Sequence, residues 1–256
     1  MIASLGMYDF GPLQAANDRL WALTRDALRD HGIAAPDALT RGEGAYWQAW
    51  QSPDLILSQT CGYPFRARLQ GQVAYVGTPD YGVTGCAPGQ YRSVLVVRAD
   101  DPRHRLADFD GARLAFNEGL SQSGWAAPQT HAARAGIRLL AGPATGGHRL
   151  SAQAVAEGRA DIAALDAVTH ALLQGQEPAL DRLRVLEMTA PTPGLPLITA
   201  ATRDPAPIFQ AVSAAILALD AADRAILHLR GLVRVPLADY LAVPNPPSPE
   251  QIAAPI

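Results

Sequence analysis

The sequence predicts an α/β protein. Three observations carry that reading. Short apolar runs alternate with amphipathic helical stretches along most of the 256 residues, the pattern of βαβ units with parallel strands. The segment Tyr91–Arg98 (YRSVLVVR) is valine-rich enough for a buried strand. Finally, 48% hydrophobic against 18% charged residues suits a compact globule and excludes a disordered chain.

Ile2–Met7 reads as a first strand, ending at Tyr8-Asp9-Phe10-Gly11-Pro12. A helix follows, with Leu13, Ala16, Leu20, Leu23, Ala27 and Leu28 near one face, and it stops by His31-Gly32. Asp54–Ser58 is a buried-type strand, helical residues follow Cys61-Gly62-Tyr63-Pro64, and Gln72–Gly77 is a further strand. After Tyr91–Arg98 and the break at Asp100-Asp101-Pro102 come a strand at Ala112–Phe116, a helix at Gly124–Ala135, a strand at Ile137–Leu140 and a helix at Leu150–Glu157. Strand Asp161–Leu165, helix Ala167–Leu173 and strand Leu183–Leu186 lead to the turn Pro191-Thr192-Pro193-Gly194. Strand Leu197–Thr202, a long helix at Ala206–Leu219 and helical residues Asp220–Leu229 complete the pattern. The tail Pro244–Pro249 is too proline-rich for a helix or a central strand. Neighbourhood changes near 98–104 and 190–197 suggest two lobes, the first built from both ends of the chain.

Charge and composition exclude several functions. The net charge is −3 and every basic residue is arginine. Without lysine there is no Schiff-base or P-loop mechanism. Without a basic excess, nucleic acid is not an expected partner. Two cysteines, Cys61 and Cys86, are too few for a disulfide framework or a four-thiolate metal site, and two free thiols are favoured. No apolar run approaches a membrane span, so no membrane insertion is expected. Met1–Tyr8 has neither a basic n-region nor a long apolar h-region. The expected location is cytoplasmic for the chain as it stands, and periplasmic with a leader removed. No metal, cofactor or catalytic motif stands out.

Residues with binding chemistry cluster after strand ends. Asn117-Glu118-Gly119-Leu120-Ser121-Gln122-Ser123-Gly124 follows a strand and opens a helix. A helix N-terminus offers backbone N–H groups without partners and a partial positive charge. Two hydroxyls and a glycine would complete an anion cradle; the plainer reading is a serine N-cap. Thr145-Gly146-Gly147-His148 also precedes a helix, and His148 could bond an anion or simply lie at the surface. Ser58–Pro64 and Tyr8 end other strands, where ligands collect in open α/β sheets.

The order of segments resembles the phosphate/phosphite/phosphonate-binding proteins of ABC transporters. The resemblance is carried by Tyr91–Asp100, Leu106–Phe116, Ser121-Gln122-Ser123-Gly124 with Pro128, Gly146-Gly147-His148, Ser151, Ala160–Asp166 and Pro193-Gly194-Leu195-Pro196. It implies a two-lobe type 2 periplasmic-binding-protein fold, each lobe a mixed sheet flanked by helices, with the ligand in a cleft between lobes. The lobes would be 1–98 plus 197–256, and 99–196, with hinges near 95–102 and 190–199. It implies a small oxyanion held by Ser121, Gln122, Ser123, Gly124 and His148, with Tyr8, Thr60 and Tyr63 on the opposite wall and Asp166 at a strand end. The implied protein partner is a transporter permease, with no cofactor. Leu195 stands where the family often has an acidic residue that meets a ligand amine, which argues against an aminophosphonate. Two alternatives stay open: a cytosolic enzyme on the same fold, as in menaquinone- or thiamine-precursor synthesis, with His148, Asp166, Glu118 and Cys61 as its candidate groups, and a ligand sensor.

Overall fold

A computed structural model describes residues 1–252, which group into two compact units. The first holds Met1–Gln90 and Pro193–Tyr240; the second holds Tyr91–Thr192 and the chain from Leu241 onward. Elements run in order β1 (Ile2–Ser4), α1 (Leu13–Asp30), α2 (Trp47–Trp50), β2 (Leu55–Gln59), α3 (Gly62–Pro64), β3 (Val73–Asp80), β4 (Gln90–Tyr91), β5 (Ser93–Arg98) and β6 (Arg113–Phe116). They continue with α4 (Ala127–Arg134), β7 (Leu140–Ala144), α5 (His148–Ala156), β8 (Ile162–Asp166), α6 (Ala167–Leu173), β9 (Leu183–Met188) and β10 (Thr192–Pro193). The last are β11 (Leu197–Ala200), α7 (Pro205–Ala218), α8 (Ala221–Ile226), β12 (Gly231–Val233) and α9 (Leu237–Leu241).

In the first unit the strand order is β1-β2-β11-β3-β12. β1 and β2 are parallel, so Ser4 lies opposite Ser58 and both strands finish at one edge. β11 runs antiparallel to β2 and β3, and β12 antiparallel to β3. The sheet is therefore mixed, where strand–helix alternation alone predicts parallel units. α1 buries Leu13, Ala16, Leu20, Trp21 and Leu28 and packs against α7. A separate apolar cluster joins Trp50, Leu55, Phe65, Leu69, Ile198 and Tyr240. Its polar atoms are satisfied: the Tyr240 hydroxyl donates to the Gly194 carbonyl at 3.0 Å and lies 2.6 Å from Thr78 Oγ1.

The expected strand Ile2–Met7 stops at Ser4. Residues Gly6–Tyr8 form a 3₁₀ turn, because the Tyr46 hydroxyl donates to the Gly6 carbonyl at 3.0 Å and its ring leaves only 3.2 Å to a side chain at Gly6. α8 ends in a closing turn with His228 in the left-handed region, φ +52°. The Leu229 N–H reaches the Arg224 carbonyl at 3.0 Å, and the His228 N–H reaches that of Ala225 at 3.1 Å. This is a Schellman closure, whose left-handed seat is usually glycine; a side chain there costs about 1–2 kcal/mol.

The second unit's sheet has the order β7-β6-β8-β5-β9. β6 is parallel to β7 and β8, while β5 is antiparallel to β8 and β9. Val94–Val97 are buried to 2% exposure or less, as a valine run flanked on both edges requires. This strand, expected at a hinge, is an interior strand of the sheet. The chain instead passes between units at 90/91 and 192/193, and again at 240/241. The tail, expected with the first lobe, groups with the second unit. There the Pro247 carbonyl accepts from the buried Trp125 indole at 3.0 Å, and Pro249 covers Gly119. Residues 253–256 of the expected first lobe lie outside the described residues.

The strand expected at Ile137–Leu140 begins at Leu140 and runs to Ala144. β7 pairs only with β6, so Pro143 sits at a sheet edge that needs no N–H. No disulfide joins Cys61 and Cys86. Among the described residues no helix is long and apolar enough to cross a membrane.

Candidate functional site

β6 and β7 are parallel neighbours, with Phe116 opposite Ala144. The loops that follow them therefore start side by side. The Thr145 N–H reaches the Phe116 carbonyl at 2.8 Å, and the Gly146 N–H reaches that of Asn117 at 2.9 Å. One loop carries the serines and the other the histidine.

Ser121 caps the helical turn Gln122–Ala126, its Oγ accepting from the Gly124 N–H at 2.9 Å. The N-cap reading of this serine is correct at the level of the backbone. The hydroxyl hydrogen stays available to a ligand, since the cap uses only an oxygen lone pair. Ser121, Gln122 and Ser123 are buried. A side chain at Gly124 would come within 2.0 Å of Asn117 Oδ1 and 3.2 Å of Ser121 Oγ, so this turn closes only around glycine. The turn rests on Trp125, fully buried and 4.7 Å from the Phe116 ring.

His148 opens α5, and its Nε2 lies 2.9 Å from Ser123 Oγ. Sequence separation of 25 residues thus becomes direct contact. The second loop is tied down by Thr145, whose Oγ1 lies 2.7 Å from Ser151 Oγ and donates toward the Phe116 and Gly147 carbonyls. Burial pushes the His148 imidazole down to about 4, opposed only weakly by the Ala164 backbone. The ring is neutral at neutral pH, one nitrogen a donor and the other an acceptor. Desolvation by the surrounding protein pushes the Glu118 carboxyl upward.

Asp166 ends β8 opposite Ser93. Its Oδ1 accepts from the Val168 and Thr169 N–H groups at 2.8 and 2.9 Å, holding the start of α6. Ser93 Oγ donates to the Ser123 carbonyl at 2.9 Å, so Asp166 stands two links from the serine turn. Asn117, Thr145, Ser151 and Ser93 also belong to this constellation; they fall within or beside the segments the sequence marks, but none is picked out there as a site residue.

Tyr8, Thr60 and Tyr63 lie in the first unit. Tyr8 and Thr60 follow the parallel strands β1 and β2. The Tyr8 carbonyl accepts from Asn17 at 2.9 Å, and its ring meets that of Tyr81 edge-on at 5.0 Å. Thr60 is fully buried; its N–H reaches the Pro196 carbonyl at 3.0 Å, while its Oγ1 has no hydrogen-bond partner among the described residues. Such an orphaned buried hydroxyl is uncommon. Tyr63 is buried in α3 under the Arg66 guanidinium, 4.6 Å above its ring.

Known proteins share this fold. The structure of PhnD1 from Prochlorococcus marinus in complex with methylphosphonate superposes with a TM-score of 0.69 at 17% identity, covering 93% of this chain and 94% of that one. XAC2383 from Xanthomonas citri, bound to chloride ion, gives 0.66 at 18% identity over 93% and 92%. A binding protein component of an ABC phosphonate transporter from Pseudomonas aeruginosa, PA3383, gives 0.62 at 16% identity over 94% and 83%. These likenesses establish the type 2 periplasmic-binding-protein fold. No curated protein sequence matches the chain. The profile of one family, described as the periplasmic substrate-binding protein of phosphonate ABC transporters, matches residues 50–240. The chain belongs to that family of substrate-binding proteins.

Proposed function

We infer that the chain captures a small oxyanion of the phosphate, phosphite or phosphonate type on the turn Ser121–Gly124 with His148. The observation that carries this is the 2.9 Å contact between Ser123 Oγ and His148 Nε2. It couples two loops that each open a helix. In the neutral ring this contact is a single hydrogen bond, which fixes the serine turn against the start of α5. First-turn N–H groups and the Ser121 hydroxyl add donors. Asp166, at the end of β8 where it caps α6, is the further ligand contact in this reading. The first unit, taken by itself, carries its own candidate contacts Tyr8, Thr60 and Tyr63, of which Thr60 Oγ1 has no hydrogen-bond partner among the described residues. In this reading the protein works in the periplasm and hands its ligand to a transporter permease. The buried, apolar Leu195 favours a ligand without an amine.

Calorimetry with phosphate, phosphite, methylphosphonate, 2-aminoethylphosphonate and sulfate tests the inference. At least one of the first three should bind more tightly than millimolar, and the aminophosphonate more weakly. Ser123→Ala and His148→Ala should each cost about 1–3 kcal/mol of binding, about five- to 150-fold in Kd. Unchanged affinity in both variants would place the ligand elsewhere.

A further inference from the structure

The first unit holds a group of basic side chains that plays no part in the serine–histidine constellation. Arg224 near the end of α8, His228 in its closing turn and Arg230 just before β12 line an open hollow of about 440 Å³ beside Tyr81 and Gly82. None of the three side chains forms an ion pair or a hydrogen bond among the described residues. The acids nearby are engaged. Asp223 is held by Arg19 through both carboxylate oxygens, Asp220 caps α8, and Asp80 Oδ1 takes the Gly82 N–H at 3.0 Å.

Two backbone features shape the hollow. Gly82 has φ +61°, and a side chain there would fall 2.0 Å from Arg230 Nε. The guanidinium therefore lies across a position that only glycine leaves open. Arg230 is fixed from below as its N–H reaches the Asp80 carbonyl at 2.8 Å. His228 occupies the left-handed seat of the Schellman closure, where glycine would be unstrained. Backbone strain held at a place rich in binding chemistry is a pointer to use.

We propose that this hollow is a second site, for a small soluble oxyanion carrying two or more negative charges, of the phosphate or pyrophosphate class. Two guanidinium forks suit paired anion oxygens, and the imidazole supplies a third donor. The volume lies within the range of small-molecule sites and exceeds what a water cluster needs. The site is in the first unit and does not depend on the serine–histidine reading.

The test is calorimetry with inorganic pyrophosphate on the full chain carrying Ser123→Ala and His148→Ala, which removes the other site. One equivalent should bind, with affinity that falls as salt rises. Arg224→Gln and Arg230→Gln should each weaken it about tenfold while leaving the thermal midpoint unchanged. His228→Gly should raise the midpoint by a few degrees and weaken pyrophosphate several-fold. Absence of saturable binding into the millimolar range would overturn the proposal. So would affinity indifferent to both arginine variants, or a His228→Gly protein that gains stability and keeps full affinity, which would make the histidine a mere helix stop.

Discussion

Acidification should weaken the second unit through His148 well above the pH at which ordinary carboxylates protonate. The folded imidazole titrates near 4 against an ordinary value of 6.5. Between those values the unfolded chain takes up a proton that the folded chain refuses, so stability rises with pH across the window. The contribution is complete above about pH 6.5 and is lost as pH falls toward 4. The full gap corresponds to about 3 kcal/mol. His148 is partly exposed, so water relieves some of this burial and about 2 kcal/mol is the reasonable figure. Glu118 works in the opposite sense. Its folded pKa is raised by burial, so its contribution shrinks as pH rises from the ordinary glutamate value toward the folded one. The comparison that isolates histidine is therefore wild type against His148→Asn, each in the Glu118→Gln background. Urea unfolding at pH 7, 6, 5 and 4.5 should show wild type losing about 2 kcal/mol more than the asparagine variant over that range. Parallel stability curves for the two proteins would refute the burial argument and, with it, the neutral imidazole.

Two further perturbations probe the frame of the serine turn. Gly124→Ala places a methyl 2.0 Å from Asn117 Oδ1; the amide must move, at a cost of about 1–3 kcal/mol, and the oxyanion affinity should fall with it. A thermal melt and a methylphosphonate titration check both effects, and an unchanged melt would mean the turn is loosely held. Trp125→Phe removes the indole donor to the Pro247 carbonyl and should cost about 1–2 kcal/mol while making the tail cleavable by protease near 241–252; resistance equal to wild type would show that the tail docks by other contacts.

The elements of the fold were legible where periodicity is strong. The apolar stripe of α1 and the valines of β5 are visible without any structure, since each answers to a single buried face or a doubly covered strand. Strand direction was not legible. β11 lies antiparallel between β2 and β3 because the chain returns from the second unit before entering the sheet, and no local preference encodes a return. The placement of the tail was equally hidden. Proline richness says only what Pro244–Pro249 cannot be; the carbonyl that receives Trp125 follows from a partner 122 residues away.

The candidate site divides along the same physical line. Ser123 and His148 could be picked from the sequence because each sits between a strand and a helix, and a strand–loop–helix junction has a predictable excess of N–H donors. Their contact could not be predicted from 25 intervening residues. It depends on β6 and β7 being parallel neighbours with Phe116 opposite Ala144. That register also explains what the first residue of each motif does. Asn117 and Thr145 are the first positions past two paired strand ends, so their backbone groups stitch the loops together before any side chain acts. A one-residue slip in that register would break the Thr145–Phe116 and Gly146–Asn117 bonds and turn the opposite face of β7 toward solvent. The serine and the imidazole are thus held in reach of each other by the sheet, and changes in the β6–β7 pairing should damage the site as surely as changes in the two side chains.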